Sequence, residues 1–253
     1  MLSKNKVKSI KALNNKKVRT ETHCFLAEGN KLVADLLPYY DCDLLVCCPS
    51  WLATQTKVHA QEQIIVEQED INNASLLKNP QQVIAIFKQP TYTLSPCELK
   101  NQLCLVLDDI QDPGNLGTII RLADWFGIEH IICSKGTVDA YNPKVIQATM
   151  GAITRVQIHY TELASFIEEM KETHKSPIYG TFLEGENLYQ SNITPHGLIV
   201  MGNEGNGISK GIEAMVTQKI HIPNFPESRT TSESLNVAIA TSVICAEFRR
   251  RQI

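Results

Sequence analysis

Three segments in the C-terminal half of this 253-residue chain share one form. They are Asp108–Ile128 (DDIQDPGNLGTIIRLADWFGI), Leu198–Ser209 (LIVMGNEGNGIS) and Ile220–Ala246 (IHIPNFPESRTTSESLNVAIATSVICA). In each, an apolar run breaks into a loop rich in Gly, Asn, Ser and Glu, and a helical pattern follows. Continuous apolar runs mark strands buried on both faces of a parallel sheet, and open α/β sheets bind ligands at the carboxyl ends of their strands. Three such loops in one domain imply one composite site.

The rest of that half fits the same plan. Leu103–Leu107, His130–Cys133, Thr154–His159, Pro177–Leu183, Leu198–Met201 and Lys219–Ile222 read as strands. Helical patterns fall at Leu116–Phe126, Pro143–Ala152, Glu162–Thr173, Lys210–Val216 and Ser234–Arg250. Such alternation predicts an α/β fold, a parallel sheet with helices on both faces. The first ninety residues read differently. Residues 1–20 carry a weak amphipathic helix pattern, Phe25–Leu37 is expected to be helical, and DLLVCCP, QIIVEQ and QQVIAIF read as short strands. Lys88–Asn101, with Pro90 and Pro96 and no periodicity, is the expected linker. The domains are therefore expected at 1–95 and 100–253.

Composition narrows the class. No apolar stretch approaches the ~20 residues of a membrane helix, and residues 1–20 lack a signal-peptide core, so a cytoplasmic location is expected. Eight cysteines include no C-x-x-C pair, and Cys47, Cys48, Cys104, Cys133 and Cys245 lie in apolar runs, as reduced cysteines do. Seven scattered histidines contain no H-x-x-x-H pair, so no metal is expected. The net charge of −3 hides an uneven distribution. Residues 1–19 hold Lys4, Lys6, Lys8, Lys11, Lys16, Lys17 and Arg19 without an acid, and Arg249, Arg250 and Arg251 come near the other terminus. Such segments supply phosphate contacts for a nucleic acid, or form solvated tails; charge alone leaves both open.

The loop residues carry a resemblance. DPGNLGTIIRLADWFG, IVMGNEGNGIS, and IPN followed by SESLNVAIA are similar, in order and spacing, to the three motifs of the SpoU branch of the SPOUT superfamily. YNPKVIQATMGAITRV (Tyr141–Val156) resembles the segment between the first two motifs. FLAEGNKLVADLL (Phe25–Leu37) and NPQQVIAIFKQP (Asn79–Pro90) resemble the small substrate-binding domain that often precedes the catalytic one. Two departures stand out. Ala238 occupies a position often held by Ser, and Phe225–Glu233 makes a long loop inside the third motif.

The resemblance implies methyl transfer from S-adenosylmethionine to a ribose 2′-hydroxyl of RNA, with ribosomal RNA as the leading substrate and transfer RNA as the alternative. It implies a parallel-sheet SPOUT domain with a C-terminal trefoil knot, an L30e-like first domain that binds RNA, and a homodimer with the helix Ser234–Arg250 at its interface. Catalysis is assigned to Arg121, Asn115, Glu204, Ser234 and Asn236. S-adenosylmethionine is assigned to Thr181, Phe182, Leu183, Gly202, Ile222 and Leu235.

Each residue also has a plainer reading. Arg121 can be an ordinary helix-surface arginine. As a catalytic group it suits oxyanion stabilisation better than general-base work, because a guanidinium keeps its proton. Asn115 can be a helix cap, Glu204 a loop ion pair, and SESLN a helix-initiating sequence. GNEGNG lacks the G-x-G-x-x-G spacing of a dinucleotide fingerprint and comes late in the chain, which disfavours an NAD-dependent oxidoreductase. A non-catalytic RNA-binding protein on the same fold is the competing reading from another class. The first domain has no aromatic RNP motif, so stacking of bases on a sheet is not expected there.

Overall fold

The computed structural model describes residues 1–226 and 234–253. In chain order the elements are α1 (Lys4–Ala12), α2 (Lys16–Thr22), β1 (Cys24–Glu28), α3 (Asn30–Leu36), β2 (Cys42–Cys47), α4 (Pro49–Leu52), β3 (Glu62–Ile65), α5 (Gln68–Ala74) and β4 (Val83–Lys88). They continue as α6 (Pro96–Leu99), β5 (Leu103–Leu107), α7 (Pro113–Trp125), β6 (His130–Ser134), α8 (Pro143–Thr149), β7 (Gln157–Thr161) and α9 (Leu163–Glu172). The chain then forms β8 (Ile178–Asn187), β9 (Gly197–Met201), α10 (Lys210–Glu213), β10 (Gln218–His221) and α11 (Val237–Arg250). Two compact units result: residues 1–91 with 139–154, and residues 92–138 with 155–253.

The first unit is built on a mixed sheet of order β1-β4-β2-β3. The pairs β1–β4 and β4–β2 are antiparallel, and β2–β3 is parallel. The expectation of a helix over Phe25–Leu37 is corrected here. Its first part is β1, whose five residues are all buried, and only Asn30–Leu36 is helical. Gly29 separates them at φ +111°, a backbone state that side-chain-bearing residues rarely adopt. Phe25 packs on Phe87 and Tyr141, with ring centroids 5.6 and 5.0 Å away.

The basic N-terminal segment is folded rather than a solvated tail. Ser3 and Asn15 cap α1 and α2 through their side chains. Leu2, Ile10 and Leu13 enter the same apolar cluster as Leu26, Val46 and Ile71. Arg19 is 2% exposed. Its guanidinium donates to Asp139 at 2.8 and 2.6 Å and to the Leu13 and Asn14 carbonyls at 2.7 and 3.0 Å. Arg19 is thus withdrawn from the phosphate contacts the charge pattern suggested.

The second unit holds a six-stranded sheet of order β10-β8-β9-β5-β6-β7, and every pairing is parallel. The central strands β5 and β9 are buried at every residue, as their unbroken apolar runs require. Helices α7 and α11 lie side by side in the same direction. Asn236 Nδ2 donates to Asn115 Oδ1 at their amino ends, and Arg249 donates to the Phe126 and Gly127 carbonyls at the other. Arg250 and Arg251 both bind the buried carboxylate of Glu247. The C-terminal arginines are therefore engaged in the fold. Helix α11 begins at Val237 with Asn236 as its cap, so Ser234 lies outside the helix it was expected to open. The expected knot depends on the path of the chain through residues 227–233, and with most of the long Phe225–Glu233 loop it lies outside the described residues.

Candidate active site

The loops after β5 and β9 are tied together at the carboxyl edge of the sheet. Asp108 is buried; its N–H donates to the Met201 carbonyl at 2.9 Å and its Oδ2 accepts from Ser209 N at 2.8 Å. Asn203 Nδ2 donates to the Asp109 carbonyl at 2.7 Å. The GNEGNG segment then closes on itself. Asn203 and Gly207 exchange two backbone hydrogen bonds of 2.9 Å, and Asn203 Oδ1 accepts from the N–H groups of Gly205 and Asn206. Glu204 sits at the tip of this turn.

That closure explains Gly202. A Cβ on Gly202 would lie 2.2 Å from the Gly207 carbonyl carbon and 2.3 Å from Ile208 N. The glycine is needed for two stretches of backbone to pass each other, whatever ligand binds beside them.

Glu204 reaches back to the first loop. One carboxylate oxygen accepts from Asn115 Nδ2 at 3.0 Å and from Asp112 N at 3.2 Å; the other accepts from Gln111 N at 3.3 Å. Burial by itself would raise its pKa, but the hydrogen bonds from Asn115 and the backbone outweigh that and hold the carboxyl below its usual range. The expected loop ion pair is absent among the described residues; amide donors take its place. Asn115 is fixed from both ends, since its Oδ1 accepts from Asn236 Nδ2 at 2.9 Å. Asn236 Oδ1 in turn caps α11 through Ala238 N and Ile239 N. Three residues from three distant segments thus form one hydrogen-bonded chain, Asn236 to Asn115 to Glu204.

The remaining candidates are placed near this chain in sequence but not joined to it. Arg121 lies six residues after Asn115 on α7, which at ~100° per residue puts it on a different face. It is exposed and makes no hydrogen bond or ion pair among the described residues. Ser234 is exposed, two residues before the α11 cap. Sequence reasoning missed Asp112, which caps α7 by accepting from Asn115 N at 2.8 Å, and the two backbone N–H groups that hold Glu204. Its signal was the Asp-Pro pair at a helix start, a common cap and first-turn combination.

Five of the six cofactor candidates lie on or just after neighbouring strands, and Leu235 precedes the α11 cap. Thr181, Phe182 and Leu183 belong to β8, Gly202 follows β9, Ile222 follows β10, and β8 lies between β9 and β10 in the sheet. Thr181 Oγ1 donates to the Val200 carbonyl at 3.0 Å, and the Lys219 ammonium sits 4.6 Å from the Phe182 ring centroid. Leu183 and Leu235 stand in solvent at 71% and 49% exposure.

Comparison with known proteins bears on this arrangement. Residues 102–246 match the SpoU rRNA Methylase family, and residues 4–85 match the MRM3-like substrate binding domain. The chain is 30% identical over 247 residues to the 23S rRNA (guanosine(2553)-2′-O)-methyltransferase RlmP of Bacillus subtilis, covering 96% of each protein. Its fold is similar to a solved TrmH-family protein from Porphyromonas gingivalis, with TM-score 0.90, 38% identity and 99% of both chains covered. It is also similar to an AdoMet-bound rRNA methyltransferase from Sinorhizobium meliloti, with TM-score 0.85, 30% identity, and 100% of this chain and 97% of that one covered.

Proposed function

From the premise that the chain belongs to the SpoU rRNA methylase family, we propose that it transfers the methyl group of S-adenosylmethionine to a ribose 2′-hydroxyl of ribosomal RNA. The observation that carries this reading is the Asn236–Asn115–Glu204 chain, which joins one polar residue from each of the three motifs at the carboxyl edge of a parallel sheet.

S-adenosylmethionine, when bound, supplies a methyl carbon activated by a sulfonium. We assign its binding to Thr181, Phe182, Leu183, Gly202, Ile222 and Leu235, with Leu183 and Leu235 as the apolar wall. In-line attack of the 2′-oxygen on that methyl carbon would form the oxygen–methyl bond and break the methyl–sulfur bond, leaving S-adenosylhomocysteine, with the hydroxyl proton passing to solvent. The protein's contribution is positioning and charge. Glu204, held as a carboxylate, fixes the Asn115 amide, and Asn236 fixes its other end, so Asn115 meets the ribose in one orientation. Arg121 has no carboxylate partner among the described residues. Its guanidinium can donate to the 2′-oxygen or an adjacent phosphate and stabilise the negative charge that grows on that oxygen. Ser234, exposed beside the α11 cap, is assigned to the same ribose.

We take residues 1–95, completed by 139–154, as an L30e-like RNA-binding domain and the rest of 100–253 as the catalytic domain. The protein is expected to act as a homodimer, because α7 and α11 leave Trp125 and Ile239 in solvent, at 83% and 55% exposure. A monomer by light scattering at working concentration would overturn the dimer. No helix among the described residues is long and apolar enough to cross a membrane, and the cytoplasm is the compartment proposed.

The deciding experiment incubates the purified chain with S-adenosylmethionine and ribosomal RNA from a strain lacking its gene, then maps ribose methylation. One new 2′-O-methyl nucleotide in ribosomal RNA is the expected result. Methyl transfer to transfer RNA alone, or none, would overturn the substrate assignment. Arg121→Ala should lower turnover by about 10²–10³-fold with little change in S-adenosylmethionine affinity. Arg121→Lys should also be poor, since a point charge lacks the planar fork.

A further inference from the structure

The first unit contains a recess with no part in the chemistry above. Its volume is about 560 Å³, and it is lined by Gln68, Asn72, Leu77, Lys78, Asn79 and Pro80. It is a shallow depression, more open to solvent than enclosed. One wall is α5, and the other is the loop that leads into β4.

Both walls are held in place by amides. Gln68 Nε2 donates to Asn72 Oδ1 at 2.9 Å and to the Gln81 carbonyl at 3.0 Å. Behind it, Gln81 Oε1 accepts from Asn30 N at 2.6 Å. Asn30 and Gln82 exchange two bonds of 3.0 and 3.2 Å, and Gln82 Nε2 donates to Ser50 Oγ at 3.0 Å. This network uses the supporting amides and leaves others open. Asn72 Nδ2, the Asn79 amide and the Lys78 ammonium have no partner among the described residues, and all three residues are exposed. Leu77 and Pro80 add half-buried apolar surface, and none of the lining residues carries a carboxylate.

A carboxamide presents a donor and an acceptor side by side, the pattern of a purine edge, and an ammonium meets a phosphate. Apolar surface beside them packs against a base face. Bases inside an A-form duplex do not offer these edges to a side chain, whereas unpaired bases in loops do. We infer that this recess holds an unpaired nucleotide of the RNA substrate, its base read by Asn72 and Asn79 and its phosphate met by Lys78. The inference rests on the reading of the chain as an RNA methyltransferase and assigns part of its substrate selection to a place outside the catalytic unit.

The test uses the full-length protein and unmodified large-subunit ribosomal RNA transcribed in vitro. The double variant Asn72→Asp, Asn79→Asp keeps side-chain volume at two exposed positions and replaces donors with acceptors. It should weaken RNA binding and raise the RNA KM by about tenfold or more, with kcat and S-adenosylmethionine affinity within about twofold of wild type. Lys78→Ala should reduce the slope of log affinity against log salt by about one. Double-variant RNA affinity equal to wild type would overturn the inference. So would tight binding of free AMP or GMP at the recess with RNA affinity unchanged by the substitutions, which would make it a small-nucleotide site. Binding is measured separately from turnover. If the wild type binds the transcript and transfers no methyl group, the proposed activity fails while the binding comparison still decides the role of the recess.

Discussion

At the scale of single residues, the same side chains that complete the site also hold the loops together. Glu204 is the clearest case. Its pKa is depressed, so its contribution to stability is present above the unfolded carboxyl pKa of about 4.3 and is lost as pH falls through the folded value. Glu204→Gln offers one acceptor oxygen where the carboxylate offers two, and should cost on the order of 1 kcal/mol, read as a lower thermal midpoint at neutral pH. The pair of half-buried His130 and buried His159 behaves in the same direction on a different scale of pH. Their ring nitrogens lie 3.2 Å apart. Burial, with the neighbouring His130 adding to it, lowers the His159 pKa to about 4. Both rings are therefore favoured in the neutral form. Stability should be full above the unfolded His pKa of about 6.5 and decline as pH falls from there to about 4. Thermal midpoints across that range test this, and His159→Gln should flatten the curve. Gly202 illustrates the limit of reading a site from its residues. Any substitution there strikes backbone, so loss of cofactor binding in such a variant would say little about contact with the cofactor. Leu235→Asp, at an exposed position, is the sharper probe: cofactor affinity should fall while the melting curve stays in place. Asn115, Glu204 and Asn236 were legible in the sequence because polar residues in Gly-rich loops after apolar runs have few purposes. Their hydrogen bonds to one another were not, because they span 89 and 121 residues of chain.

At the scale of elements, the central strands β5, β6 and β9 were readable to within a residue because burial on both faces leaves an unbroken apolar run. Phe25–Leu37 misled for a related reason. Its apolar residues fit either period over so short a span, and Gly29, at φ +111°, was the punctuation that decided it. The N-terminal basic segment misled through its charge. Lysines dominate its composition, while Ile10 and Leu13, at 0% and 3% exposure, determine where it goes. Removing residues 1–19 should therefore unfold the first unit, seen as loss of its cooperative transition and rapid proteolysis. A truncated protein that melts like the intact one would contradict the packing described for α1 and α2.

At the scale of the whole molecule, the first unit is not one continuous stretch of chain. It is completed by residues 139–154. Gln147 Nε2 donates to the Glu28 carbonyl at 2.5 Å, and Tyr40 donates to the Ile153 carbonyl at 2.7 Å. Arg19 binds Asp139 across 120 positions of sequence. Local pattern carries no trace of such a return. Arg19→Met should leave Asp139 without its cation and cost roughly 3–5 kcal/mol, measured by denaturant unfolding.

That returning segment also bears on how such proteins can be rearranged. A unit contained in one stretch of gene can be copied, exchanged or fused as a cassette. Here a cut after residue 91 would strand Phe25 without Tyr141 and Arg19 without Asp139, so recombination at the apparent linker inherits an incomplete module. A transplantable version has to carry 139–154 with it, spliced behind residue 91. For the same reason, drift in the first unit is answerable to positions encoded inside the catalytic stretch, and the two parts of the gene are bound to change together.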